Sequence, residues 1–107
     1  MLFYYPKDID FIENFGCEAY YVDDTLYTIF YYENGKFQLS MSRLQSSIKL
    51  IYEINNMEII NIYKEGAIIL KIVDQSGIEI LFDNYVKKMI NVIVYPRFSL
   101  SMVDFVD

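Results

Sequence analysis

Few side chains in this sequence are able to do covalent chemistry: one thiol, Cys17, and a set of carboxylates concentrated before Gly35. Histidine is absent altogether, which removes the commonest general base and metal ligand together with every Ser-His or Cys-His nucleophile arrangement. Cys17 is a thiol nucleophile in principle, although a lone cysteine more naturally reads as a small buried hydrophobe. Paired carboxylates can act as acid and base, as in glycosidases, and Asp23 with Glu33 is one such pair. A chain of 107 residues leaves little room for a sugar cleft around it. Asp8-Ile9-Asp10 begins like a calcium loop, yet Ile12 and Glu13 stand where a third ligand and the sharp-turn glycine are required. The four glycines, Gly16, Gly35, Gly66 and Gly77, lie far apart, and three fall at expected strand turns, so no phosphate-binding loop is present. These residues point away from catalysis, and neither a cofactor nor a metal is expected.

The elements that must position the carboxylates read as β-structure. Aromatic residues are 11 Tyr and 8 Phe with no Trp, and with the recurrent Ile this is the enrichment of pleated, half-buried surfaces. An AT-rich gene would give much the same usage. Pro6 to Gly16 carries proline early, acids in the first turn and a terminal glycine, the pattern of a short helix. Ile9 and Ile12 would share one of its faces, Phe11 and Phe15 another. From Glu18 the period becomes two. Thr25 to Tyr32 and Lys36 to Ser42 flank Asn34-Gly35, which predicts a hairpin with a type I′ turn.

Arg43 to Asn55 fits two templates. Leu44, Ile48, Ile51 and Tyr52 have helical spacing, whereas Ile48, Leu50, Tyr52 and Ile54 alternate as in a strand; the strand is preferred, with Asn55-Asn56 turning into the next. Glu58 to Lys64, Ala67 to Asp74 and Ile78 to Asp83 then read as three successive strands with turns at Glu65-Gly66 and Gln75-Ser76-Gly77. Ile68, Leu70 and Ile72 are expected to line one face, joined across the pairing by Ile60 and Ile62 on one side and by Ile78, Ile80 and Phe82 on the other. A break near Asn84 to Lys88 precedes a last pair, Ile90 to Tyr95 and Phe98 to Val103. The expected fold is mainly β: a single curved antiparallel sheet, a half-open, barrel-like meander, with a short N-terminal helix. At 107 residues one domain is the natural size.

One cysteine permits no intramolecular disulfide, and residues 1 to 8 lack the basic segment and long apolar run of a signal peptide, so the cytoplasm is the expected compartment. The densest apolar stretch, Ile59 to Val73, is broken by Lys64, Glu65, Gly66 and Lys71 and falls short of a membrane span.

Charge is the most informative feature. The formal net charge is -6, and all of the excess lies before Lys36, where Lys7 alone faces Asp8, Asp10, Glu13, Glu18, Asp23, Asp24 and Glu33. Carboxylates gathered this way repel nucleic acid and anionic lipid and attract basic surfaces; they also keep a very apolar chain in solution. Tyr20, Tyr21, Tyr27, Tyr31 and Tyr32 are interleaved with them. Tyrosine offers large contact area with few rotors, and carboxylates accept bidentate bonds from arginine, so the pattern suits an interface with a basic protein. The residues expected to contact it are Asp8, Asp10, Glu13, Glu18, Asp23, Asp24, Tyr27, Tyr31 and Glu33.

A small, acidic, Ile- and Tyr-rich β-meander without catalytic residues resembles the immunity proteins of bacterial contact-dependent growth inhibition and other polymorphic-toxin systems. The resemblance runs from about Tyr20 to Val103 as a pattern and includes no diagnostic motif, so no family residue is carried over. It implies a non-catalytic protein that neutralises a cognate toxin, often a basic nuclease, by covering its active site. Two other readings are a nucleic-acid mimic that inhibits a defence nuclease, which calls for acids in a phosphate-like stripe, and a small subunit completing a larger assembly through edge-strand pairing.

Overall fold

The computed structural model describes residues 2–83 and 88–103. Among these residues one helix, α1 (Asp8–Phe15), is followed by nine strands. Asp8 accepts a hydrogen bond from the Ile9 amide at 2.8 Å and Asp10 from the Lys7 amide at 2.9 Å, so both acids satisfy amides at the helix start. Gly16 adopts a left-handed conformation (φ 64) and donates its N–H to Ile12 at 2.8 Å, which ends the helix as the sequence predicts. A helix of eight residues is marginal alone. It is held by Phe11 and Phe15, both buried, with Phe15 set edge-on to Phe30 at 5.2 Å, while Ile9 and Ile12 face outward.

The first sheet is an antiparallel meander of β1 (Glu18–Val22), β2 (Thr25–Tyr32), β3 (Gly35–Ser42), β4 (Ser47–Ile54) and β5 (Met57–Glu65). The second is β6 (Ile69–Val73), β7 (Gly77–Asp83), β8 (Lys88–Ile93) and β9 (Ser99–Val103), again in sequence order. The expected mainly β, antiparallel architecture with a short N-terminal helix is what the chain adopts, and neither sheet closes into a barrel. Inward residues of both sheets, among them Leu26, Phe30, Leu39 and Leu50 from the first and Leu70, Ile80, Ile90 and Val92 from the second, share one core with Phe3, Phe11 and Phe15.

The meander divides at Gly66–Ile68. Gly66 has φ 84, and the next two amides serve different sheets. Ala67 donates to Ser46 in the β3–β4 loop and Ile68 to Leu81 on β7, each at 2.9 Å. The expected pairing of Ile60 and Ile62 with Ile68, Leu70 and Ile72 therefore does not form; β5 pairs with β4 and β6 with β7. A left-handed residue followed by a fully buried Ala67 carries the chain into the second sheet instead of reversing it into a hairpin with β5. Tyr4 bridges Ile69 in parallel, giving the β6 edge a short partner.

Two turns differ in detail from expectation. The β2–β3 hairpin forms, but its loop is Glu33-Asn34, because Tyr32 pairs with Gly35. Neither Asn34 nor Gly35 takes a positive φ. Gly35 is required for another reason: a Cβ there would collide with the backbone carbonyl of Glu53 on β4. The type I′ turn is the next one, Asn55-Asn56, with φ of 51 and 65. Residues 47–54 are strand, with the turn confined to 43–46, which settles the ambiguous segment in favour of β-structure. Most of the predicted break near Asn84 to Lys88 lies outside the described residues; Lys88 already belongs to β8.

Candidate functional site

Register places the predicted contact residues in distinct groups. Glu18 pairs with Ile29 and Tyr20 with Tyr27, so these four side chains and Tyr31 share the outer face of the first sheet. Tyr20 stacks on Tyr27 with centroids 5.7 Å apart, and the Tyr31 hydroxyl donates to Glu18 Oε2 at 2.5 Å. That hydrogen bond is the chief reason the Tyr31 phenol is raised above its ordinary value. Tyr31 is exposed and Tyr27 half-buried, so the outer face of β1 and β2 offers tyrosine rings beside a carboxylate.

Asp23 and Asp24 form the β1–β2 turn, with Asp23 at φ 55. Asp24 is already occupied, accepting from Ser42 Oγ at 3.0 Å and the Leu44 amide at 3.2 Å, and so fixes the β3–β4 loop. Glu33 lies in the turn at the other end of β2. An eight-residue strand places the two ends roughly 25 Å apart, so Asp23 and Glu33 are not brought together as an acid and base pair. Asp8 and Asp10 are committed to the helix start, and Glu13 is exposed on the same helix.

The acids of the first third are thus spread over a helix, a sheet face and two opposite turns, and they do not form a ladder along one strand face. Further along the chain, two acids are matched to bases across the sheets. Lys36 meets Glu53 at 3.6 Å and Lys71 meets Glu79 at 3.5 Å, each pair being register partners. Glu13, Asp23 and Glu33 make no ion pair or hydrogen bond among the described residues. The unbalanced negative charge read from the sequence therefore has a structural counterpart in three acidic side chains that form no ion pair among the described residues.

Cys17 is buried in the core with its thiol 3.4 Å from the Phe11 carbonyl oxygen. Burial raises its pKa, outweighing the opposite effect of the Thr28 hydroxyl, and the thiol stays protonated. This is the environment of a packing residue.

One feature escapes sequence reasoning. At the seam between the sheets a cleft of about 540 Å³ is lined by Tyr32, Tyr52, Tyr95 and Phe98, with Glu33 and Arg97 also on its walls. The Tyr32 hydroxyl donates to the Val94 carbonyl at 2.7 Å, tying β2 to the segment after β8. The only signal in the sequence was the tyrosine of β2, and its partners lie far downstream.

No family model matches the sequence, and no curated protein does. A solved structure matches in three dimensions: a chain of the contact-dependent growth inhibition toxin–immunity protein complex from Klebsiella pneumoniae 342, with a TM-score of 0.79, over 96% of this chain and 98% of that one. The two chains share a fold. The resemblance expected from the sequence pattern is thus present along almost the whole backbone. At 16% identity it carries no residue roles with it.

Proposed function

We infer that this protein is a non-catalytic immunity protein, which binds a cognate toxin and blocks it. The observation that carries this reading is the end-to-end fold match to a chain of a toxin–immunity complex. The toxin is a basic protein, a nuclease, held in the cytoplasm by an acidic surface laid over its active site. Glu13, Asp23 and Glu33, which form no ion pair among the described residues, would meet the lysine and arginine residues with which such an enzyme grips nucleic acid. Glu18 with Tyr27 and Tyr31 supplies a polar, aromatic contact area on the outer sheet face.

Inhibition on this mechanism needs occlusion and no bond-making. A standard interface of ~1,600 Å² in total is sufficient. The unpaired carboxylates accelerate encounter, while buried aromatic anchors set residence time.

Co-expression with the product of the neighbouring reading frame tests the reading. Cells producing that protein alone should stop growing, and cells producing both should grow. A neighbour that is harmless alone, or one that kills in the presence of this protein, refutes it.

A further inference from the structure

The walls of the seam cleft are built of packed rings. Tyr52 stacks on Phe98 with centroids 4.1 Å apart and planes 12° from parallel, Phe98 rests on Phe37 at 4.8 Å, and Tyr32 stands edge-on to Tyr52 at 6.2 Å. Burial pushes the Tyr32 phenol well above its ordinary value, so that ring stays neutral. At about 540 Å³ the space is of the size that receives a small group rather than a flat protein surface.

Aromatic faces carry partial negative charge and attract cations, the more strongly where water is displaced. Glu33 lies on the wall with no ion pair or hydrogen bond among the described residues, whereas nearby Glu53 is held by Lys36 at 3.6 Å. An unpaired carboxyl group therefore stands beside the rings. Arg97 lines the same cleft and is the one group that would draw an anion instead. It is exposed, and its flexible stem allows the guanidinium to turn to solvent.

We propose that the cleft formed by Tyr32, Tyr52, Tyr95 and Phe98 receives a single arginine side chain of the partner protein, its guanidinium laid against the tyrosine rings and paired with Glu33. Arginine fits better than lysine because its planar, weakly hydrated head stacks on rings while its N–H fork engages a carboxylate. The proposal rests on the immunity reading for the origin of that arginine, and not for the chemistry of the cleft.

The test uses the full-length ¹⁵N-labelled protein and Nα-acetyl-arginine N-methylamide, with the uncharged Nα-acetyl-citrulline N-methylamide as its isostere. Saturable amide shifts at Glu33, Asn34 and Arg97 are expected for the arginine compound, with dissociation in the millimolar range, and roughly fivefold weaker binding or none for citrulline. Glu33→Gln, in an exposed turn, should weaken arginine binding by about the same factor, and Arg97→Ala should tighten it. Equal response to both compounds, loss of binding in Arg97→Ala but not Glu33→Gln, or no saturable shift up to the solubility limit would each overturn the proposal. No toxin takes part in this titration, so its failure leaves the immunity reading standing, and a failed co-expression leaves the cleft's chemistry untouched.

Discussion

The Asn55 amide donates to the Asn34 carbonyl at 2.7 Å, so the turn closing β4 and β5 is bonded to the turn closing β2 and β3. This tie lies next to Gly35, where β3 and β4 approach so closely that only hydrogen fits on the α-carbon. The edge of the cleft that carries Glu33 is therefore held by backbone, independently of any side chain.

The left-handed conformation of Asn56 (φ 65) makes its replacement predictable. Asn56→Val should cost about 1–2 kcal/mol, because a β-branched residue is strained there, while Asn56→Gly should be neutral or stabilising by a few tenths. Urea denaturation midpoints of the two variants measure the difference, and equal midpoints would contradict the I′ assignment.

Gly35 and Gly66 should respond to alanine for different reasons and by different amounts. At Gly35 the new methyl meets the Glu53 carbonyl and the strands must separate, a cost of about 2–3 kcal/mol. At Gly66 the space is open but φ is 84, so the cost is conformational, about 1 kcal/mol. Denaturant unfolding of both proteins checks the order; a milder effect at Gly35 would mean that β3 and β4 yield more easily than their register suggests.

Stability should fall in alkali. Burial raises the phenols of Tyr5, Tyr32 and Tyr95, and the hydrogen bond to Glu18 raises that of Tyr31, above the ordinary tyrosine value of about 10. The folded protein thus holds these protons more tightly than the unfolded chain. Their contribution is fully present below the ordinary value and is lost as pH climbs through the raised ones. The Cys17 thiol is shifted in the same direction and begins to act slightly lower. The thermal midpoint should be flat up to roughly pH 9 and drop beyond it. Tyr32→Phe should lose about 1 kcal/mol at neutral pH with its bond to Val94, and show a shallower alkaline drop.

Neutralising Glu13, Asp23 and Glu33 together (Glu13→Gln, Asp23→Asn, Glu33→Gln) should slow association with the cognate toxin by about tenfold at low salt and flatten its salt dependence. The thermal midpoint should barely change, since these side chains bond to nothing among the described residues and asparagine tolerates the φ of 55 at position 23. Asp8→Asn with Asp10→Asn should do the reverse, costing about 0.5–1 kcal/mol of stability while leaving the association rate close to unchanged. Stopped-flow mixing and thermal melts separate the two sets, and an unaltered rate in the triple variant would sink the charge argument.

The strands were legible because Thr25 to Tyr32 and Phe37 to Met41 alternate cleanly, and Gly16 ends its helix as a glycine at that position should. The β2–β3 turn was misplaced by one residue because Gly35 answers to a neighbour 18 positions away, Glu53, and a local rule sees only the dipeptide. The sheet boundary was missed for a related reason. Glu65-Gly66 looks like any turn until the hydrogen bonds of Ala67 and Ile68 are known. The cleft was invisible as well, since Tyr32 read as one of the tyrosines among the acids, Tyr52 as part of an alternating strand, and Tyr95 and Phe98 as part of a last strand pair, with nothing local to join them.

Ala67 and Ile68, neighbours in the chain, hang from separate halves of the molecule. Prising the halves apart must free one of these two protons first, and deuterium uptake at each would report which half lets go. Two adjacent amides thus form a natural pair of gauges for breathing at the seam.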